Sequence, residues 1–160
     1  MSDGLVKLYR LPELQPRLMR LQSAGYQVRQ AMAYEKAQVC QWVRNQFSDG
    51  WCSECEIAFA RSPLTCFLAT HHQQLIGFAC YEVTLKNFFG PIGVSRHYQQ
   101  RGVGEALLLS ALIAMRALGY GYAIVGGIDD TTAEFYRKTV GLELIPESSE
   151  SVYTNRVKAD

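Results

Sequence analysis

A glycine-rich junction between a predicted strand and a long predicted helix is the segment of this sequence best suited to chemistry. The run 92–108 contains a strand end, a short polar loop, and then Gly102 and Gly104 at the start of a helix. The first amides of a helix have no intrahelical acceptor, and the helix macrodipole is positive there. Because neither glycine has a side chain, an anion can approach these amides closely. The pattern predicts a phosphate-binding turn.

Two common phosphate-binding motifs do not fit this junction. A dinucleotide-binding fingerprint needs a third glycine or alanine at position 107, which is Leu107, and a P-loop needs a Gly-Lys-Ser/Thr run that is absent. The pattern Gln/Arg-x-x-Gly-x-Gly/Ala does fit, on Gln99, Gly102 and Gly104. A glycine-lined turn that binds no ligand is the alternative interpretation.

A second motif lies downstream, after a further predicted strand. Asp129 is followed seven residues later by Tyr136 in a Phe-Tyr pair, and then by Gly141-Leu142. The two motifs, in this order and with a strand between them, resemble the GNAT family of acetyl-CoA-dependent N-acetyltransferases over roughly residues 26–145. Two departures stand out. Asp129 occupies a position where the family usually has Asn, and Gly141 lies one residue further from Tyr136 than in the shorter form of the motif.

The resemblance implies acetyl-CoA as co-substrate and assigns its binding residues. In the family the strand end pairs with the pantetheine arm and offers amides to the thioester oxygen, and the glycine turn holds the pyrophosphate. The residues expected to bind acetyl-CoA are Ile92, Gly93, Val94, Gln99, Gln100, Arg101, Gly102, Val103, Gly104, Glu105 and Asp129.

Catalytic and acceptor residues follow from what amide formation requires. Tyr136 is the expected acid for the departing thiolate, because family members often place this hydroxyl beside the sulfur; a buried structural ring is its alternative role. Glu82 is the candidate base, on the expectation that it shares a strand face with Phe78 and Cys80. Glu54, Glu56, a water chain or an amine that arrives neutral are alternatives to a Glu82 base, and each carboxylate could instead be a solvated surface charge. Trp51 and Glu54, in the predicted acceptor region, are the expected substrate-binding residues.

The order of predicted elements gives a mixed α/β fold, and the resemblance implies a GNAT-type mixed sheet with a splayed central strand pair, flanked by helices. Gly90-Pro91 predicts a bulge in the strand 88–94, since proline seldom sits inside a central strand. We expect residues 1–25 to form an N-terminal lead-in with a strand and a short helix, and residues 26–160 to form the N-acetyltransferase domain. Asp130 is the expected N-cap of the last helix, and Val152-Tyr153 an expected final strand.

Composition limits the classes of partner. The chain has 160 residues, a hydrophobic fraction of 48%, a charged fraction of 19% and a formal net charge of +1. The sequence has no basic stripe, which would indicate nucleic-acid binding, and no apolar run long enough to span a membrane. We therefore expect a cytoplasmic protein. The five cysteines include a lone CxxC, Cys52 to Cys55, without a second ligand pair. We therefore expect no metal site and no disulfides.

The sequence predicts transfer of the acetyl group of acetyl-CoA to an amine of a small molecule or peptide, by direct attack in a ternary complex. A non-catalytic acyl-CoA-binding or sensor module on the same fold is the alternative. On the long helix, Leu109 and Leu112 fall between Glu105 and Arg116, on the face expected to meet solvent. Either the lead-in or a second subunit of a homodimer could cover these leucines.

Overall fold

Twelve helices and strands form a seven-stranded sheet with helices on both faces. The computed structural model describes Met1–Asp160. In chain order the elements are β1 Ser2–Lys7, α1 Gln15–Ser23, β2 Tyr26–Gln30, α2 Lys36–Gln46, α3 Asp49–Phe59, β3 Cys66–His71, β4 Gln74–Tyr81, β5 Phe88–Val94, α4 Val103–Ala117, β6 Tyr122–Ile128, α5 Asp130–Val140 and β7 Glu143–Leu144. The strand order across the sheet is β2-β3-β4-β5-β6-β1-β7.

One strand pair sets the character of the sheet. All neighbours are antiparallel except β5 and β6, which are parallel. These two strands pair only at Phe88↔Ile124 and Phe89↔Val125, although both continue beyond that point. The sheet therefore splays open along the second half of β5. The predicted mixed α/β architecture with a splayed central pair is confirmed.

The bulge predicted at Gly90-Pro91 is also confirmed. Phe89 lies opposite Tyr81 of β4, whereas Ile92 lies opposite Ala79, so β5 has one more residue than its partner over this stretch. Gly90 has a φ of 114°, which a residue with a side chain rarely adopts. The bulge bends β5 at the point where it leaves β6.

Two separate cores stabilise the two faces of the sheet. The larger cluster of 24 buried residues lies between α4 and the sheet face that α4 covers. The smaller cluster of 13 lies between the opposite face and helices α2 and α3. Alternation along the second half of β4 explains the division, because Ala79 and Tyr81 point into the first core while Phe78 and Cys80 point into the second. None of the helices combines the length and hydropathy needed to cross a bilayer.

Residues 1–25 cover the leucine face of α4. Leu109 and Leu112 are 0% exposed and share a core with Leu8 and Leu21 of the lead-in. Arg116 Nη1 donates a hydrogen bond to the Leu8 carbonyl at 3.4 Å. The sequence left two possible covers for these leucines, the lead-in or a second subunit, and the structure shows that the lead-in covers them. Its strand β1 also pairs with β6 and β7, in the same sheet as residues 26–160.

Two local predictions are wrong. The N-cap of α5 is Asp129 rather than Asp130: the Asp129 carboxylate accepts a hydrogen bond from the Thr132 amide at 2.7 Å, in a capping box. Val152-Tyr153 forms turns rather than a strand. The turn is held by Asp3, whose Oδ1 accepts hydrogen bonds from the Ser151 hydroxyl at 2.6 Å and from the Gly127 amide at 3.0 Å.

Leu112→Glu tests how strongly the lead-in covers α4. A carboxylate at this wholly buried position has no partner, so we expect a loss of about 3 kcal/mol or more in the free energy of unfolding, measured by urea denaturation. Leu118→Glu is the matched control, because Leu118 ends the same helix and is 57% exposed. Equal stability of the two variants, or a change in subunit number by light scattering in Leu112→Glu alone, would contradict a cover supplied by the same chain.

Candidate functional site

The turn before α4 presents unsatisfied amides to solvent. Gln100 and Gly102 both have positive φ, 61° and 85°, and Gly102 is the N-cap of α4 without any side-chain hydrogen bond to the helix. A β-carbon on Gly102 would meet no atom within 4 Å, so the space in front of the turn is open. Left-handed residues beside an uncapped helix start form a concave group of N–H donors that suits an anion.

A basic cavity adjoins this turn. Its volume is about 390 Å³, and Arg17, Arg20 and Arg101 line it together with Gly102 and Glu105. The Arg17 Nε atom is buried without a hydrogen-bond partner, and it lies 3.6 Å from a Glu105 carboxylate oxygen. Three guanidinium groups around one cavity, one of them under-satisfied, indicate a site for several negative charges.

Sequence reasoning missed Arg17 and Arg20, because they lie on α1, outside the region that resembles a known family. Only their position beside Gly102 in the fold identifies them as candidates. Of the turn residues singled out from sequence, Arg101 donates a weak hydrogen bond to the Tyr26 hydroxyl at 3.4 Å. Val103 is the first residue of α4, and its side chain is buried in the larger core.

The second half of β5 has one free edge. Ile92, Gly93 and Val94 pair with β4, and no strand pairs with their other side. Gln99 Nε2 donates to the Val94 carbonyl at 3.2 Å, which shows that this carbonyl points away from β4. In an antiparallel ladder alternate residues direct their backbone groups to opposite sides, so Ile92 and Val94 both face the gap.

Tyr136 lies on α5 with its ring in the larger core. It is 7% exposed and packs edge-on against Phe89 at 6.2 Å between centroids and against Phe135 at 5.2 Å. Burial raises the pKa of the Tyr136 phenol well above its ordinary value. The hydroxyl therefore stays protonated at neutral pH, and it can donate a hydrogen bond but cannot serve as a base.

Glu82 is not on the strand face expected from sequence. β4 ends at Tyr81, and Glu82 has a φ of 63°, so the alternation that would align it with Phe78 and Cys80 is broken. Its carboxylate accepts hydrogen bonds from the Asn87 amide at 2.6 Å and from the Tyr120 hydroxyl at 3.2 Å. The first contact closes the loop between β4 and β5, the second ties this loop to the segment before β6, and together they occupy both carboxylate oxygens.

An aromatic group covers β5 from the side of α2 and α3. Trp51 packs against Phe47 at 5.1 Å and Phe78 at 6.1 Å between ring centroids. Phe47 approaches Gly93 so closely that a β-carbon there would lie 2.4 Å from the ring, which explains why this strand position has no side chain. Trp51 thus lies beside the Phe47 ring that covers Gly93, and its role in binding an acceptor stays a prediction.

Glu54 meets the C-terminal segment, which sequence reasoning did not connect with the site. The Thr84 hydroxyl donates a hydrogen bond to the Glu54 carboxylate. Tyr153 lies close to both residues, burial raises the pKa of its phenol, and its ring contacts Gly126 and Gly127 of β6. Glu54, Thr84 and Tyr153 thus form a wall between α3 and β6. No motif in the sequence signals Tyr153, because its place depends on the anchor at Asp3.

Asp129 lies at the start of α5 with its carboxylate used by the cap. The hydrogen bond from the Thr132 amide lowers the pKa of Asp129, so the group stays ionised and acts only as an acceptor. The structure brings the glycine turn, the free edge of β5 and Tyr136 to the splayed strand pair, with Trp51 and Glu54 on the helical side. It leaves Glu82 tied to its own loop.

Solved structures similar to this chain are acetyltransferase folds. The glucosamine N-acetyltransferase region of a fungal multi-domain β-N-acetylglucosaminidase aligns with a TM-score of 0.72 and 11% identity, covering 90% of this chain and 19% of that one. An N-acetyltransferase from Sphaerobacter thermophilus aligns at 0.62 with 16% identity, covering 90% and 48%. A GNAT acetyltransferase from Brucella melitensis, solved with acetyl-CoA, aligns at 0.55 with 18% identity, covering 70% and 82%.

At these identities the likeness shows the fold, and this chain spans between about a fifth and a half of the first similar chains. No curated protein matches the sequence. The family comparison is decisive, because residues 36–142, more than half of the chain, match the acetyltransferase (GNAT) family. This range contains both motifs and the splayed strand pair. The chain belongs to the GNAT family of acetyltransferases.

Proposed function

We propose that this protein transfers the acetyl group of acetyl-CoA to an amine of a small molecule or peptide, by direct attack in a ternary complex. One observation carries the proposal: the free edge of β5 lies between the open anion-binding turn and the side chains of Trp51 and Glu54 on α3. A long thioester with a phosphorylated end fits that order of groups, with its reactive end at the splayed pair.

Acetyl-CoA fits the residues present. The amides of Gln100 to Gly104 would hold the pyrophosphate, and Arg17, Arg20 and Arg101 would neutralise the remaining phosphate charge. The backbone groups of Ile92 and Val94 that face the gap would pair with the amides of the pantetheine arm. Glu105 would keep Arg17 in place through their ion pair, and Asp129 would orient α5 as its cap.

The reaction forms a C–N bond and breaks a C–S bond, while the amine loses a proton and the sulfur gains one. A β5 amide facing the gap would stabilise the negative oxygen of the tetrahedral intermediate. The Tyr136 hydroxyl would donate a hydrogen bond to the departing sulfur. Because burial raises the pKa of this phenol well above that of an alkyl thiol, about 8.5, Tyr136 would keep its proton and the thiolate would be protonated by solvent. Positioning of amine and thioester supplies much of the remaining rate.

The acceptor would bind against the wall that Glu54, Thr84 and Tyr153 form between α3 and β6. Glu54 would hold the amine as a cation before attack and is a better-placed base than Glu82, whose oxygens close the β4–β5 loop. Trp51 would contact the apolar part of the acceptor. These roles assign recognition to α3 and leave Glu82 a supporting role in the loop.

A thiol-release screen tests the reaction itself. Acetyl-CoA is incubated with the protein and with glucosamine, aminoglycosides, polyamines, amino acids or peptides with free N-termini. The first two are included because proteins of similar fold are named for them. Release that depends on one amine, with the acetylated product found by mass spectrometry, supports the proposal. Tight acetyl-CoA binding without turnover on any amine would favour the non-catalytic module instead.

Gly104→Val tests the cofactor turn. A β-carbon on Gly104 would lie 3.6 Å from Phe135, an ordinary contact, so there is room for a β-carbon at this position. A branched side chain in front of the amides should reduce acetyl-CoA affinity at least tenfold by calorimetry, or about 1.4 kcal/mol. Gly104→Ala is the control, because the family pattern accepts alanine at this position. Unchanged affinity in a folded Gly104→Val would refute the assignment.

Tyr136→Phe tests the role of the Tyr136 hydroxyl. The change keeps the ring packed against Phe89 and Phe135 and removes only the hydroxyl. We expect kcat to fall by about 10²-fold or more while acetyl-CoA affinity is retained. Phe135→Leu serves as a packing control, since it disturbs the same contact without touching a proton donor. Wild-type turnover in Tyr136→Phe would remove the hydroxyl from the mechanism.

A further inference from the structure

All five cysteines of the chain lie in one place. Cys40 comes from α2, Cys52 and Cys55 from α3, Cys66 from β3 and Cys80 from β4, and each is 6% exposed or less. All five belong to the smaller core of 13 buried residues, whereas the larger core of 24 contains none. The smaller core therefore has five thiols among its 13 buried residues.

Three of the sulfur atoms converge. Cys66 and Cys80 are register partners across β3 and β4, so their side chains lie on the same face of the sheet. Cys55 reaches them from α3, which packs on that face, and the three Sγ atoms all lie within 4.8 Å of one another. The Cys40 thiol lies near that of Cys55 in the same core. Three segments of the chain thus bring sulfur to one buried point, and a fourth places Cys40 beside it.

The spacing suits a thiolate-bound metal ion. Zinc binds thiolate sulfur at about 2.3 Å, which places tetrahedral sulfur ligands about 3.8 Å apart. The three Sγ atoms need to close by about 1 Å at most to reach that separation. Sulfur ligands alone select thiophilic ions such as Zn²⁺ and Cu⁺ over Mg²⁺ or Ca²⁺.

Charge distinguishes the two thiophilic ions. No lysine or arginine is among the buried residues, so nothing in this core compensates an anionic complex. Three thiolates leave a net charge of −1 around Zn²⁺ and −2 around Cu⁺. The smaller buried charge has the smaller desolvation penalty, which favours zinc.

We propose that Cys55, Cys66 and Cys80 bind one Zn²⁺ through their thiolates, with Cys40 beside the fourth coordination position. Each ligand releases its thiol proton to solvent as the zinc–sulfur bond forms, and no oxidation is involved. The ion would join α3 to β3 and β4, and would so hold α3, the helix proposed to bind the acceptor, against the sheet. Because the ligands are buried, the ion must enter before this core closes.

The sequence pattern did not predict this site. Of the CxxC pair only Cys55 is a ligand, and the other two ligands stand alone on separate strands. Spacing rules for zinc depend on ligands that are close in sequence, whereas here the β3–β4 register and the position of α3 bring them together. Cys52, three residues before Cys55 on the same helix, lies outside the triad and provides a natural control.

Metal content of the purified protein tests the proposal. The chain is produced in zinc-supplemented medium, dialysed against metal-free buffer and assayed by elemental analysis. We expect one zinc per chain in the wild type and in Cys52→Ala, and a loss of zinc in Cys55→Ala, Cys66→Ala and Cys80→Ala. A wild type without bound metal would overturn the proposal, and one copper per chain would overturn the zinc assignment.

Cobalt gives a second measurement that does not depend on the variants. Wild-type protein is unfolded under reducing conditions and refolded with Co²⁺. Thiolate-to-cobalt charge-transfer absorption, absent when an equivalent of Zn²⁺ is included in the refolding buffer, is the expected result. Refolded protein without this absorption would refute thiolate coordination even if the cysteine variants fail to fold. Neither measurement involves acetyl-CoA, so the zinc site and the acetyl-transfer reaction stand or fall separately.

Discussion

The early separation of β5 from β6 is the constraint on which the site depends. Two paired positions hold these parallel strands together, and beyond them the backbone groups of β5 face a gap. Buried backbone donors and acceptors need partners, so such an edge persists only where a ligand or water can supply them. The bulge at Gly90-Pro91, the glycine turn before α4 and the position of Tyr136 are all arranged around that opening.

Much of the fold could be predicted from the sequence because its signals are local. Glycine and proline mark the turn and the bulge, and periodicity marks the helices, so the strand-to-helix junction and the Phe135-Tyr136 motif were identified. Local capping rules were less discriminating: Asp129 and Asp130 are adjacent candidates, and only the hydrogen bond from Thr132 decides between them. Glu82 was misplaced because one residue of positive φ ends the alternation that the prediction assumed.

The parts that could not be predicted depend on contacts between distant segments. Arg17 and Arg20 reach the glycine turn before α4 because the lead-in lies across α4. Tyr153 reaches Glu54 because Asp3 holds the C-terminal turns. The cysteine cluster is of the same kind, since its members come from two helices and two strands. Each of these features needs the strand order of the sheet, which no local pattern contains.

The position of β1 between β6 and β7 has a consequence for the order in which the sheet can fold. β1 precedes all the other strands in sequence, yet it pairs only with β6 and β7, the last two strands. The half of the sheet from β2 to β5 can form on the ribosome, while β1 has no partner until almost the whole chain has emerged. Pairings of such large sequence separation are slow to close. The anion turn, which the lead-in completes, is therefore among the last parts of the molecule to assemble.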